Sequence, residues 1–281
     1  MNTDMSRRQF VGLAGSLATV LGLGLVGCGG GAGKGSAAGS TAAKDVKGAA
    51  ESKKLVVGFD KSYPPYGFVG DDGEYTGFDL DLAKAVADKQ GWEVKYEAID
   101  WDAKVLELNS GSVDVLWNGV SITEERKQEM DFSRPYLANQ QVIIVKADSD
   151  IADIASLAGK IVGLQKGSSA LDALNKNEIA SQVASVQEYA DNVTALTDLS
   201  IGRLDAVVLD EVVARYYETK EAGTYKVLDE AFAAEEYGVG FKKGNTDLEE
   251  KVQKAFDEMI ADGTAAKISE KWFGKDIIVK P

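Results

Sequence analysis

Four short stretches hold the residues best equipped for chemistry: Asp60 to Phe68, Asn118 to Arg126, Gln165 to Ser169, and Asp210-Glu211. In the second, an apolar run from Val113 to Trp117 gives way to Asn118, and Gly119 opens the backbone. Thr123 is placed to cap a helix whose first turn holds Glu124, Glu125 and Arg126. A guanidinium beside the free N–H groups of a helix start, here around Ser121, suits a small carboxylate. The Gly167-Ser168-Ser169 turn offers further donors, and Asp210 offers a carboxylate to an ammonium group. Tyr63, Tyr66 and Trp101 offer flat apolar walls that also stack on cations. Each feature has a plainer reading. Arg126 reads equally as a surface residue, Asp210 as a helix N-cap before Glu211, and the tyrosines as packing aromatics. Together the four stretches are complementary to an α-amino acid.

The elements that must position them alternate. Strands are expected at Leu55–Gly58, Glu93–Ala98, Val113–Trp117 and Gln140–Val145, with helices over 79–90 and 101–109 between them. A second series has strands at Ile161–Leu164, Val183–Val186 and Ala206–Leu209, and helices from Ala170 and over 190–201. The two series echo one another: Gly111-Ser-Val-Asp114 before one strand matches Gly202-Arg-Leu-Asp205 before the other. Such alternation, twice over, predicts two α/β lobes with largely parallel sheets. A strand at Tyr237–Phe241 follows, then a helix opened by a Thr246-Asp-Leu-Glu249 capping box, and a closing helix over 268–273. Ligands of open α/β sheets bind outside the carboxyl ends of the strands, where the four stretches fall, two in each lobe.

Composition narrows the chemistry. The 281 residues are 44% hydrophobic and 27% charged, with a formal net charge of −14. That surface disfavours nucleic acid or anionic lipid as the main partner. The chain has no histidine, which removes Ser-His and Cys-His nucleophile pairs and the commonest zinc ligand. No catalytic group, metal or cofactor is expected. The single cysteine, Cys28, ends an apolar run, Phe10 to Gly27, that follows Arg7-Arg8. Residues 1–27 therefore read as an export signal. Ser6-Arg-Arg-Gln-Phe-Val11 resembles a twin-arginine signal, and Leu25-Val-Gly-Cys28 resembles a lipobox, which implies cleavage before Cys28 and a lipid on its thiol. Without Asp4, Arg7 and Arg8 the net charge becomes −15. Residues 28–53, the lipidated cysteine and a small, polar, aperiodic stretch, read as a flexible tether.

Tyr-x-Pro at Tyr63, Gly77-Phe-Asp-Leu-Asp-Leu-Ala, Ser121-Ile-Thr-Glu-Glu-Arg126 and Asp131-Phe-Ser-x-Pro-Tyr136 resemble the polar amino-acid binding proteins of ABC importers, the bacterial extracellular solute-binding proteins of family 3. So do Gly159-Lys-Ile-Val-Gly, Gly202-Arg-Leu-Asp205-Ala and Gly263-Thr-x-x-Lys-Ile-x-x-Lys-Trp-Phe273, so the likeness covers nearly everything after residue 54. The resemblance implies a two-lobed periplasmic-binding-protein-like fold of type II, with 54–146 plus 239–281 as lobe 1 and 147–238 as lobe 2. Crossing strands are then expected near 145–148 and 237–240. It implies Arg126 on the ligand carboxylate, hydrogen bonds from Gly119, Ser121, Ser168 and Ser169, Asp210 on the ammonium, Tyr63 as a wall and Asp60 at the side chain. Trp117-Asn118 departs from the small residues of many relatives, so the choice among glutamine, cystine, arginine, lysine and histidine stays open. The implied partners are an amino acid, an ABC permease with its ATPase, and the membrane through the anchor alone, with the protein a monomer on the extracytoplasmic side. A dehydratase-like enzyme and a sensory or adhesive module on the same fold are the alternatives.

Overall fold

The computed structural model describes residues 54–280; the expected export signal, the expected lipidation at Cys28 and the expected tether lie outside the described residues. Two five-stranded sheets organise the chain. The first runs in the order Glu93–Ala98, Lys54–Phe59, Val115–Leu116, Gly240–Lys242 and Met130–Phe132. Its first three strands are parallel, and both pairings of Gly240–Lys242 are antiparallel. The second runs Ser185–Tyr189, Ile161–Gln165, Ala206–Asp210, Leu137–Lys146 and Tyr225–Tyr237. Again three strands are parallel, and both pairings of Leu137–Lys146 are antiparallel.

The repeated Gly-x-x-Asp has the same task in both halves. Gly111 and Gly202 turn the chain with φ of 81° and 77°, a region costly for any side chain. Three residues on, the Asp114 carboxylate accepts the Val56 N–H at 2.7 Å, and its own N–H donates to the Val56 carbonyl at 2.9 Å. Asp205 makes the same two bonds with Ile161, at 2.7 and 2.9 Å. Each motif thus ties the start of its own strand to the parallel strand beside it.

Three expectations change. Leu137–Lys146, placed in lobe 1 by the sequence, pairs with Ala206–Asp210 and Tyr225–Tyr237 in the second sheet. The first crossing is therefore at 133–136, between Met130–Phe132 in one sheet and Leu137–Lys146 in the other, and the return is at 238–239. The two crossings are bonded together: Ser133 and Tyr136 donate their N–H groups to Val239 and Tyr237, and Val239 N–H donates to the Ser133 hydroxyl at 2.9 Å. Tyr225–Tyr237, thirteen residues long and twice bulged against its partner, had no strand signature. The capping box at Thr246 does not form, because Asn245 takes the cap position without a side-chain hydrogen bond and Thr246 is already helical. The helix Thr246–Ala261 nonetheless buries Leu248, Val252, Phe256 and Met259 as its periodicity requires.

Candidate functional site

A narrow cleft opens where both sheets end, lined by Asp60, Tyr63, Trp101, Asn118, Gly119, Ser121 and Arg126 from the first half of the chain and by Gln165, Ser168, Ser169 and Asp210 from the second. Ten of the twelve expected ligand residues meet there. Tyr66 and Trp117 do not. Tyr66 is fully buried behind Tyr63, stacked on it at 5.6 Å and edge-on to Phe78 and Tyr237. Trp117 is also fully buried, and its ring packs against Tyr136 and Phe256. Successive residues at a strand end face opposite ways, so with Asn118 on the cleft Trp117 belongs to the core behind it.

Arg126 is set by its helix. Thr123 caps Glu124–Glu129 by accepting the Arg126 N–H at 3.1 Å, as expected of that threonine. The guanidinium is buried and donates to two carbonyls, Ser121 at 3.0 Å and Gly167 at 3.2 Å. Among the described residues no carboxylate lies within ion-pair distance of it. Burial pulls its pKa down, and the more distant charges of Glu235 and Asp210 oppose that pull. A buried cation held only by neutral acceptors is costly, and an anion arriving beside it removes that cost.

The opposite pole is acidic. Asp210 stands at the N-cap position of Glu211–Lys220, yet its side chain makes no capping bond. Instead Oδ1 accepts from Asn139 Nδ2 at 2.6 Å, from Gln141 Nε2 at 2.8 Å and from the Tyr237 hydroxyl. Burial first, and the charge of Glu235 second, push its pKa up to about 6. Glu235 itself, partly buried, accepts at one oxygen from the Ser121 hydroxyl (2.8 Å), the Ser169 hydroxyl (3.2 Å), Gln141 (3.0 Å) and Asn139 (3.2 Å). Asn139, Gln141, Glu235 and Tyr237 were all missed by the sequence. All four lie on the Leu137–Lys146 and Tyr225–Tyr237 strands, where alternation of 139 with 141 is the one signal that pointed inward.

Asp60 closes the third side. Its Oδ1 accepts the Ser62 N–H at 2.8 Å, its Oδ2 accepts Gln165 Nε2 across the cleft at 2.6 Å, and its own N–H donates to Asn118 Oδ1 at 3.0 Å. Burial raises its pKa, and the bonds from Ser62 and Gln165 resist the rise. Gly119 differs from expectation in one respect. Its N–H points away from the cleft and donates to Asp79 Oδ2 at 2.6 Å, so it has no N–H to give a ligand. It must be glycine: φ is 57°, and a Cβ would sit 3.0 Å from the Tyr63 ring and 3.1 Å from the Tyr237 ring.

The chain that builds this arrangement, one buried cation facing a buried carboxylate across a small aromatic-walled cleft, is similar to known proteins. The chain is 38% identical over 229 residues to the L-cystine-binding protein TcyJ of Escherichia coli (strain K12), which covers 81% of this chain and 85% of that one. It is 32% identical to the arginine-binding extracellular protein ArtP of Bacillus subtilis (strain 168), over 79% of this chain and 86% of that one. Among solved structures, an ABC uptake transporter substrate-binding protein from Streptococcus pneumoniae with bound histidine superposes with a TM-score of 0.80 at 39% identity, over 82% of this chain and 96% of the other. An ancestral arginine-binding protein bound to arginine superposes with a TM-score of 0.75 at 42% identity, over 79% and 99%. The sequence pattern of bacterial extracellular solute-binding proteins, family 3, matches residues 55–275. With the match spanning both sheets and every wall of the cleft, this chain belongs to that family.

Proposed function

We propose that the protein captures a polar amino acid in the cleft and hands it to an ABC importer. The observation that carries this reading is the buried Arg126 guanidinium, which has two carbonyl acceptors but no carboxylate partner among the described residues. A ligand carboxylate fills that role with charge-assisted bonds, joined by the Ser121 and Ser169 hydroxyls. The ammonium goes to Asp210, already oriented by three donors. The side chain then runs along Tyr63 and Trp101 toward Asp60 and Gln165. The relatives' names, which specify cystine, arginine and histidine, support a polar ligand, and Asp60 favours a cationic or hydrogen-bond-donating side chain. The lobes are proposed as 54–146 with 239–281 and 147–238, amended by the transfer of the 137–146 strand to lobe 2. The ligand stabilises the closed form because only that form touches it from both lobes. Cys28 carries the lipid anchor in this reading, residues 28–53 hold the monomer off the membrane on its outer side, and no catalytic step is involved.

A thermal-shift screen of the domain from residue 54 against all proteinogenic amino acids and cystine tests it. A ligand at a hundred times its Kd is expected to add about 2.7 kcal/mol of stability. A flat response across the whole set would sink the amino-acid reading.

Binding is also expected to depend on pH. The ammonium needs ionised Asp210, whose pKa in the ligand-free cleft is about 6. Below that pH a ligand must displace a proton, so affinity is full above about 6 and falls as pH drops through it, by up to about tenfold per unit. Titration calorimetry from pH 4.5 to 8 in two buffers reads both the affinity and the released proton. In Glu235→Gln the fall should begin at lower pH, because the Glu235 charge is the second cause of the raised value. A pH-independent affinity in the wild type contradicts the ammonium role of Asp210.

A further inference from the structure

Besides Arg126, a second buried cation reaches across the cleft. Lys104 opens the helix Lys104–Ser110 in lobe 1, is only 6% exposed, and does not line the cleft. Its Nζ donates to the Trp101 carbonyl at 3.1 Å within its own lobe, and to the Gly167 carbonyl of lobe 2 at 2.8 Å. That second carbonyl is the one Arg126 also holds, at 3.2 Å. Two cations of one lobe therefore grip a single backbone oxygen of the other. Gly167 lies close against them: a Cβ there would meet Asp102 Cα and Lys104 Nζ at 3.2 Å each.

Two further ion pairs join the same faces, Lys166 with Asp102 at 2.9 Å and Lys176 with Glu125 at 3.3 Å. Their side chains are 56% and 44% exposed in the first and 67% and 59% in the second, so solvent screens them and their contribution is small. The Lys104 bond is shielded, charge-assisted and short, which makes it the strong member of the set.

We infer that Lys104 is a clasp residue: it holds the Gly167 turn of lobe 2 in the closed position and sets the closing equilibrium without touching the ligand. The same grip has a consequence for affinity. With Lys104 holding the turn, Arg126 need not hold it alone, and its guanidinium can face a ligand carboxylate while Gly167 stays in place. An apolar side chain of similar length at 104 keeps the packing and loses the grip. The protein then spends less time in the form that meets a ligand from both lobes, and apparent affinity falls by that fraction.

The inference about affinity rests on the amino-acid reading above, whereas the effect on closure does not, and the test separates them. Lys104→Met and Lys104→Arg are compared with wild type in the full chain. Ligand-free closure is read from small-angle scattering and from the distance between dyes placed one on each lobe. Dissociation rates and affinities are measured with L-arginine, L-histidine and L-cystine. Lys104→Met is expected to be more open without ligand. Every probe that binds wild type should weaken by roughly tenfold to a hundredfold, mainly through faster release, with the order of preference kept. Lys104→Arg, which keeps a donor, should recover most of the closure. Unchanged ligand-free geometry in Lys104→Met overturns the clasp. So does selective loss of one probe with the others untouched, since that marks Lys104 as a ligand contact. If none of the three probes binds even the wild type, the lobe distances still decide the clasp, and the full amino-acid screen decides the amino-acid reading.

Discussion

Arg126→Ala is expected to abolish ligand binding and leave the fold standing. The guanidinium is the one buried cation lining the cleft among the described residues, and in the proposed reading a ligand carboxylate is its partner. Deleting one member of a buried charge pair at a binding site costs about 2–5 kcal/mol, which takes a micromolar ligand to about 30 μM at the low end and to a few millimolar at the high end. The effect on stability should be smaller than for the usual loss of a buried residue. In the ligand-free protein Arg126 is desolvated without a carboxylate nearby, so its removal relieves a cost while leaving the Ser121 and Gly167 carbonyls a donor short. The two nearly cancel, and the ligand-free melting temperature should move little. Calorimetry against the best ligand of the screen, with thermal melts of both proteins, checks the pair of outcomes. Retained affinity removes the carboxylate role; a collapse in melting temperature shows that Arg126 is chiefly structural.

Asp79→Ala should do the reverse, with stability falling first. Asp79 lies fully buried in the helix Phe78–Gln90, and its Oδ2 accepts both the Gly119 N–H at 2.6 Å and the Tyr136 hydroxyl at 2.8 Å. Alanine leaves two buried donors unpaired at about 1–3 kcal/mol each, or about 2–6 kcal/mol together. At about 2–4 °C per kcal/mol for a domain of this size, the melting temperature drops by roughly 5–20 °C. Ligand affinity should fall as well, because the Gly119 backbone that Asp79 anchors leads directly to Ser121. The pH dependence identifies the cause. Burial pushes the Asp79 pKa up to about 7, against an ordinary 3.8, and its Oδ1 has no partner among the described residues, which is where a proton can sit. A folded-state pKa above the unfolded one means that the folded protein holds a proton the unfolded chain gives up. The contribution of Asp79 is therefore full below about pH 4 and declines as pH rises to about 7. Urea unfolding at pH 5 and pH 8 should show a wider gap between wild type and variant at pH 5. Equal gaps would mean that Asp79 is ionised throughout.

What the sequence revealed was local. Thr123 as a cap and the Gly-x-x-Asp repeat were legible because each acts on backbone within a few residues or at the start of a strand. The rule that ligands meet strand ends gathered most of the cleft for the same reason. What escaped depended on pairing at a distance. Leu137–Lys146 reads as one more apolar strand, and only its antiparallel register with Ala206–Asp210 assigns it to the second sheet. Ala231 to Glu236 carries no alternation that marks a strand, so Glu235 stayed invisible until pairing with the ten-residue strand Leu137–Lys146 drew it beside Ser121 and Ser169. Thr246 misled in the other direction: a Thr-x-x-Glu spacing is cheap, and one residue of shift in the turn gave the cap to Asn245.

The two crossings, at 133–136 and 238–239, are hydrogen-bonded to each other along their length. Coupled in this way, they flex together or not at all, like the two leaves of a single leaf spring. Independent twisting or sliding of the lobes would break the bonds between Ser133 and Val239 and between Tyr136 and Tyr237, whereas bending about their common line keeps them. The molecule thus has one soft mechanical coordinate, and any ligand that closes the cleft drives it along the same path. An outside partner that reads the shape receives one signal, whatever the side chain inside.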